Sequence, residues 1–122
     1  MRLNVGCGDY LLEGFVNLDA DPATPADVHA DAMVYLRDCP DATFAEVYAG
    51  HFLEHLTPEG AQRFLAECYR VLAPGGACAI VVPDTYEVLR RYVARRDECV
   101  PIEGKWWNLS DLDAVCAAFL YS

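Results

Sequence analysis

Arg2-Leu3-Asn4-Val5 is a short strand pattern that runs directly into Gly6-Cys7-Gly8, and Phe15-Val16-Asn17-Leu18-Asp19 is a second strand closing on a carboxylate. Strand, glycine turn, strand is the punctuation of an α/β chain. In an open parallel sheet, ligands bind at the carboxyl ends of the strands, where the strand order reverses. Gly6 and Gly8 fall at such an end, and their missing side chains let backbone amides approach a ligand closely. Asp19 can accept two hydrogen bonds from a ribose diol. Asp31, at the end of a third strand read over Asp27–Asp31, can receive a donor such as an adenine amino group.

The rest of the chain continues the alternation. Ala32 to Asp38 reads as a short helix before Pro40, and Thr43 to Ala49 as a fourth strand. Thr57-Pro58-Glu59 is a helix start, because a threonine cap satisfies an orphan amide and proline at the first helical position loses nothing. Phe64, Leu65, Cys68, Val71 and Leu72 then recur on one face. Pro74-Gly75-Gly76 is expected to end that helix, with Ala77 to Val82 a strand buried on both sides. Asp84 is expected to cap a helix through Arg96, and Ser110 with Asp113 to open a last helix, Leu112 to Leu120. The expected fold class is α/β, a doubly wound and mostly parallel Rossmann-like sheet in a single domain over residues 1–122. No convincing strand pair follows Val82, so the last two strands of such a sheet are expected to be missing.

Composition narrows the partners. Nine Lys and Arg against nineteen Asp and Glu give a net charge of −10, which repels phosphate backbones and anionic membranes. The arginines Arg90, Arg91, Arg95 and Arg96 read as a solvated helix face rather than a nucleic-acid patch. No apolar run is long enough to cross a membrane and the start lacks a signal-peptide core, so a cytoplasmic protein is expected. The six cysteines form no C-x-x-C pair, as expected of reduced, mostly buried thiols.

Asp19 follows Gly8 by eleven residues, against about twenty in a dinucleotide fingerprint, and Leu11 stands at that fingerprint's third glycine position. A nicotinamide cofactor is thereby demoted. Four segments taken together, Leu3-Asn4-Val5-Gly6-Cys7-Gly8, Val16-Asn17-Leu18-Asp19, Tyr48-Ala49-Gly50-His51-Phe52-Leu53-Glu54-His55-Leu56 and Arg70-Val71-Leu72-Ala73-Pro74-Gly75-Gly76, resemble class I methyltransferases in order and spacing. More narrowly, the chain is similar to small S-adenosylmethionine-dependent members that pair a short first helix with an L-N-x-G-C-G opening and an L-E-H segment. The resemblance spans Met1 to Asp84. It implies that Gly6, Cys7 and Gly8 line the methionine part of S-adenosylmethionine, Asp19 holds the ribose, and Asp31 with Ala32 borders the adenine. Gly50 and His51 would face the methionine and the incoming substrate. Tyr10 replaces the third glycine of the family loop, and its ring could attract the sulfonium.

His51-Phe52-Leu53-Glu54-His55 also spells H-x-x-E-H, the inverted zinc-peptidase motif. That motif belongs in a helix with a further acidic ligand, so no metal is expected and a zinc hydrolase is the least favoured reading. His51 is the candidate general base, while Glu54 and His55 are expected to anchor their segment. Trp106 and Trp107 read equally as core aromatics or a substrate wall. The function expected is methyl transfer to an unidentified small-molecule or macromolecular acceptor. The alternative from another class is a catalytically silent cofactor-binding or subunit-interaction module. An uncovered fifth strand further suggests a homodimer.

Overall fold

The protein is described here by a computed structural model covering residues 1–94, 99–102 and 105–108. It divides into two units, Met1–Val81 and Val82–Ser122. The first contains β1 (Arg2–Val5), β2 (Val16–Asp19), β3 (Val28–His29), α1 (Ala32–Asp38), β4 (Phe44–Gly50), a 3-10 turn (Leu53–His55), α2 (Pro58–Val71) and β5 (Leu72–Val81). The sheet order is β3-β2-β1-β4-β5, with every pair parallel. From β1 the chain steps outward to β2 and β3, then crosses back to β4 and β5. The order therefore reverses between β1 and β4, which sets a crevice at their carboxyl ends.

Strand register explains the core. Leu3 and Val5 alternate with Asn4 along β1, and Val5 pairs with Leu18 on one side and Ala49 on the other. These apolar residues, with Phe44 and Val47, meet Ala32 and Leu36 of α1 and Phe64, Cys68 and Val71 of α2 in one buried cluster. Asp31 caps α1 by accepting from the amides of Met33 (2.9 Å) and Val34 (3.1 Å). Thr57 caps α2 through the Gly60 amide at 3.0 Å. The guanidinium of Arg70 then ties the two helices together, donating to the Leu36 carbonyl (2.7 Å), the Cys39 carbonyl (2.9 Å), Asp41 (2.7 Å) and Glu67 (2.7 Å). Two of those acceptors are carbonyls at the end of α1, which a cation complements.

The other face of the sheet is built differently. No helix joins β1 to β2, so the short first helix implied by the resemblance is replaced by turns, closed by Tyr10 N–H to the Cys7 carbonyl (2.8 Å) and Phe15 N–H to the Leu12 carbonyl (3.2 Å). Asn4 and Asn17 sit opposite each other in the register and are both buried. Asn4 Nδ2 donates to the Tyr10 carbonyl (2.8 Å) and to Asn17 Oδ1 (2.9 Å), and Asn17 Oδ1 also accepts from the Leu12 amide (2.9 Å). Asn17 donates through its backbone and its Nδ2 to Asp27 Oδ2, both at 2.9 Å. Two amides thus fasten the connections before and after β2, satisfying loop groups that burial would otherwise leave unpaired.

Those two bonds hold the Asp27 carboxyl below the usual carboxylate range. A carboxyl depressed on folding contributes stability above its ordinary value of 3.8, and that contribution is lost as pH falls through the lower folded value. Thermal unfolding followed from about pH 5 down to about pH 3 should therefore show a shallower loss of Tm in Asp27→Asn than in the native chain. Equal slopes would remove Asp27 from the acid response.

Two expectations are corrected. β5 starts at Leu72, directly after α2, rather than at Ala77. Phe44 pairs with Leu72 but Glu46 with Ala77, so Ala73 to Gly76 bulge out of the ladder, with Gly75 at φ +78°. Pro74 disfavours helix for the residue before it and lacks an N–H for the ladder, which a bulge accommodates. In the second unit, a strand pair does follow Val82: β6 (Cys99–Ile102) and β7 (Lys105–Asn108) form an antiparallel hairpin with Pro101 opposite Trp106. The proline masked the strand signal. The hairpin is its own sheet and adds no strand to the parallel one. The helix α3 (Thr85–Ala94) is capped by Asp84, which accepts from the Glu87 amide at 3.0 Å. The expected helix Leu112–Leu120 and its capping pair Ser110 and Asp113 lie outside the described residues.

Candidate functional site

A cavity of about 310 Å³ opens at the carboxyl ends of β1, β2 and β3. Gly6 and Asp19 line it from the strand ends, Asp31 and Ala32 from the start of α1, and His51 from just past β4. Leu18, Ala20, Ala30, Met33, Phe52, His55 and Leu56 complete the wall.

Gly6 is required twice over. Its φ is +63°, and a Cβ there would lie 2.7 Å from Cδ2 of Phe52. Phe52 in turn packs on Phe64 with ring centroids 5.0 Å apart, so the wall beside the glycine turn is backed by the core. Gly8, at φ +51°, has open space where a Cβ would stand. Its amide donates to Asp19 Oδ2 at 2.8 Å, and the Asp21 amide donates to Asp19 Oδ1 at 2.8 Å. One carboxylate therefore fixes the turns after both β1 and β2. Each of its oxygens keeps acceptor capacity for a further donor, as two neighbouring hydroxyls require. Asp31 spends Oδ1 on the two capping amides, leaving Oδ2 for a ligand.

The remaining expected residues are not in the wall. Cys7 is buried, with its thiol pushed up by that burial and its Sγ donating to the Gly8 carbonyl at 3.4 Å. It supports the turn from behind. Tyr10 is 82 % exposed and is not among the lining residues, so the structure does not bring its ring to the cavity. Gly50 makes room for Tyr48, whose hydroxyl would lie 2.7 Å from a Cβ at that position.

His51 has φ +52°, unusual for a residue with a side chain, and donates its N–H to the Val81 carbonyl at 2.7 Å. Its Nδ1 lies 3.6 Å from Glu54 Oε1, and the same oxygen is 3.9 Å from His55 Nε2. Glu54 and His55 belong to a single 3-10 turn and His51 stands before it, so H-x-x-E-H is not carried on an α-helix. Among the described residues no group of three or more His, Cys, Asp or Glu is placed to hold a metal ion.

The cavity carries two carboxylates, and no described lysine or arginine lines it. That charge disfavours a phosphate-bearing cofactor and suits a ligand rich in hydroxyl and amine donors with a cationic centre. Sequence reasoning missed the apolar part of the wall, Phe52 and Met33 above all, because apolar residues near strand ends read as core.

A glycine turn and a carboxylate at consecutive strand ends, on a parallel sheet of order β3-β2-β1-β4-β5, define the Rossmann-like fold of class I methyltransferases. Residues 3–80 match the family model described as a methyltransferase domain, and the chain belongs to that family. It is similar to a solved structure from Archaeoglobus fulgidus described as a SAM-dependent methyltransferase, at 25 % identity and a TM-score of 0.58. The match covers 75 % of this chain and 50 % of that one, so the chain spans half the length of its solved relative. No curated protein matches it.

Proposed function

We propose that this chain binds S-adenosylmethionine in the strand-end cavity and transfers its methyl group to an acceptor. The observation that carries this reading is Asp19, which secures the glycine turn with one face of its carboxylate and keeps acceptor capacity toward the cavity. Asp19 would hold the ribose hydroxyls, Asp31 and Ala32 would border the adenine, and Gly6 and Gly8 would leave room for the methionine chain. The residues fit such a group, since two carboxylates meet hydroxyl and amine donors, and Met33 and Phe52 offer apolar contact to a flat base. When bound, S-adenosylmethionine supplies a methyl group on a cationic sulfur, which an acceptor lone pair takes as the methyl–sulfur bond breaks toward sulfur. The protein's own part is then orientation and exclusion of water, with His51 at the cavity wall as the candidate base.

Methyl-labelled S-adenosylmethionine offered with panels of small-molecule and protein acceptors tests this. Label in an acceptor is expected. Cofactor binding with no acceptor labelled would favour a catalytically silent module.

We further propose that the chain forms a homodimer and acts in the cytoplasm. A homodimer is supported by β5, which among the described residues is an outer strand of the parallel sheet, with Ala77, Cys78 and Ala79 exposed. Sedimentation equilibrium should give a dimer mass as concentration rises, and a monomer up to high micromolar concentration would contradict it. A cytoplasmic location is supported by the free thiols of Cys7, Cys39, Cys68 and Cys78. No described helix is long and apolar enough to cross a membrane.

A further inference from the structure

The segment between β4 and α2 places a carboxylate where the cavity's chemistry has so far given it no task. Glu54 is 10 % exposed at its side chain, and both its oxygens are shut off from solvent. Burying a carboxylate is costly unless charge or hydrogen bonding offsets it. Here it lies within ion-pair reach of two imidazoles, His51 Nδ1 at 3.6 Å and His55 Nε2 at 3.9 Å, and both histidines are among the residues lining the cavity. His51 holds a left-handed backbone, φ +52°, with its amide fixed on Val81. Strain of this kind is kept only where the surroundings over-determine it, and it gathers at working sites.

We propose that Glu54 is a positioning residue that holds the His51 ring with its proton on Nδ1, leaving Nε2 bare to take a proton from the methyl acceptor. Resting on the methyl-transfer reading above, this also assigns the acceptor's class: an oxygen, nitrogen or sulfur that carries a hydrogen, rather than a thioether or tertiary amine. The acceptor's lone pair becomes its bond to the methyl group, its proton passes to His51 Nε2, and the carboxylate faces the resulting imidazolium at Nδ1. The proton leaves later to water. A carboxylate that fixes tautomer and orientation in this way does not itself become protonated. His55 Nε2 lies 3.9 Å from the same Oε1.

The tautomer is a readout that a merely structural glutamate would not move. Long-range ¹H–¹⁵N spectra, taken where the imidazoles are neutral, distinguish Nδ1–H from Nε2–H. Only three histidines are present, and His51 is assigned by the signal lost in His51→Asn, a residue that tolerates positive φ. The native chain should show His51 as Nδ1–H, and Glu54→Ala, which removes the acceptor, should lose that signature. An Nε2–H ring in the native chain overturns the proposal whether or not the variant folds, as does an unchanged ring in a folded Glu54→Ala. Titration of the same samples with S-adenosylhomocysteine separates the two readings. Binding with the wrong tautomer sinks the role of Glu54 alone, whereas no binding sinks methyl transfer and with it the assigned acceptor.

Discussion

Phe64→Ala is expected to destabilise the first unit by about 3–5 kcal/mol, the range for removing a buried aromatic ring from a packed core. Phe64 is fully buried where α2 meets the strands, in one cluster with Leu36 of α1 and Phe44 and Val47 of β4. Its ring also backs Phe52, which in turn limits the space at Gly6. The loss should thus reach the cavity, and cofactor affinity should fall along with stability. Urea unfolding measures the first effect and ligand titration well below the midpoint the second. A loss under about 1 kcal/mol would mean that this core is far looser than its burial indicates.

Gly6→Ala is the second large effect, and Gly8→Ala is its control. At Gly6 a methyl group meets positive φ and a ring atom 2.7 Å away, whereas at Gly8 it meets positive φ and open space. Backbone strain alone costs about 1–2 kcal/mol, and forcing a side chain aside in a packed site adds about 1–3 kcal/mol. The Gly6 variant should therefore lose about 2–5 kcal/mol, and the Gly8 variant only the backbone part. Phe52 also has to shift within the wall it forms, so ligand affinity should drop further in Gly6→Ala. Equal costs for the two variants would show that Phe52 yields freely and that only φ matters.

Much of the frame was legible because local chemistry and global order agree. Apolar alternation at Leu3 and Val5, the threonine and proline that open α2, and the acid at the end of β2 each point to the same sheet, whereas the strand read over Asp27–Asp31 shortens to Val28–His29 and Asp31 caps α1 instead. The glycine turn and Asp19 were legible for the same reason. What the sequence hid is carried by pairs far apart in the chain. Asn4 with Asn17 is one such pair, visible only once register sets them side by side and lets turns stand in for the first helix. Arg70 with the Leu36 carbonyl, 34 residues away, is another. Pro74 and Pro101 each argue against a strand, and each sits in one. The first sits inside a strand because a bulge absorbs its missing donor, and the second sits in a hairpin that a proline argues against. Tyr10 stands at the third-glycine position of the motif, and it is its carbonyl that the fold uses, accepting from Asn4.

Isothermal titration with S-adenosylmethionine and S-adenosylhomocysteine, on the native chain and on Asp19→Ala, tests the central claim most directly. The native chain should bind one cofactor. The variant should bind about 1–3 kcal/mol more weakly, a drop of about 5- to 150-fold, with Asp19→Asn between the two because it keeps one acceptor for the Gly8 amide. A folded native chain that gives no binding isotherm with either ligand, or an Asp19→Ala variant that binds as tightly as the native chain, would contradict the account.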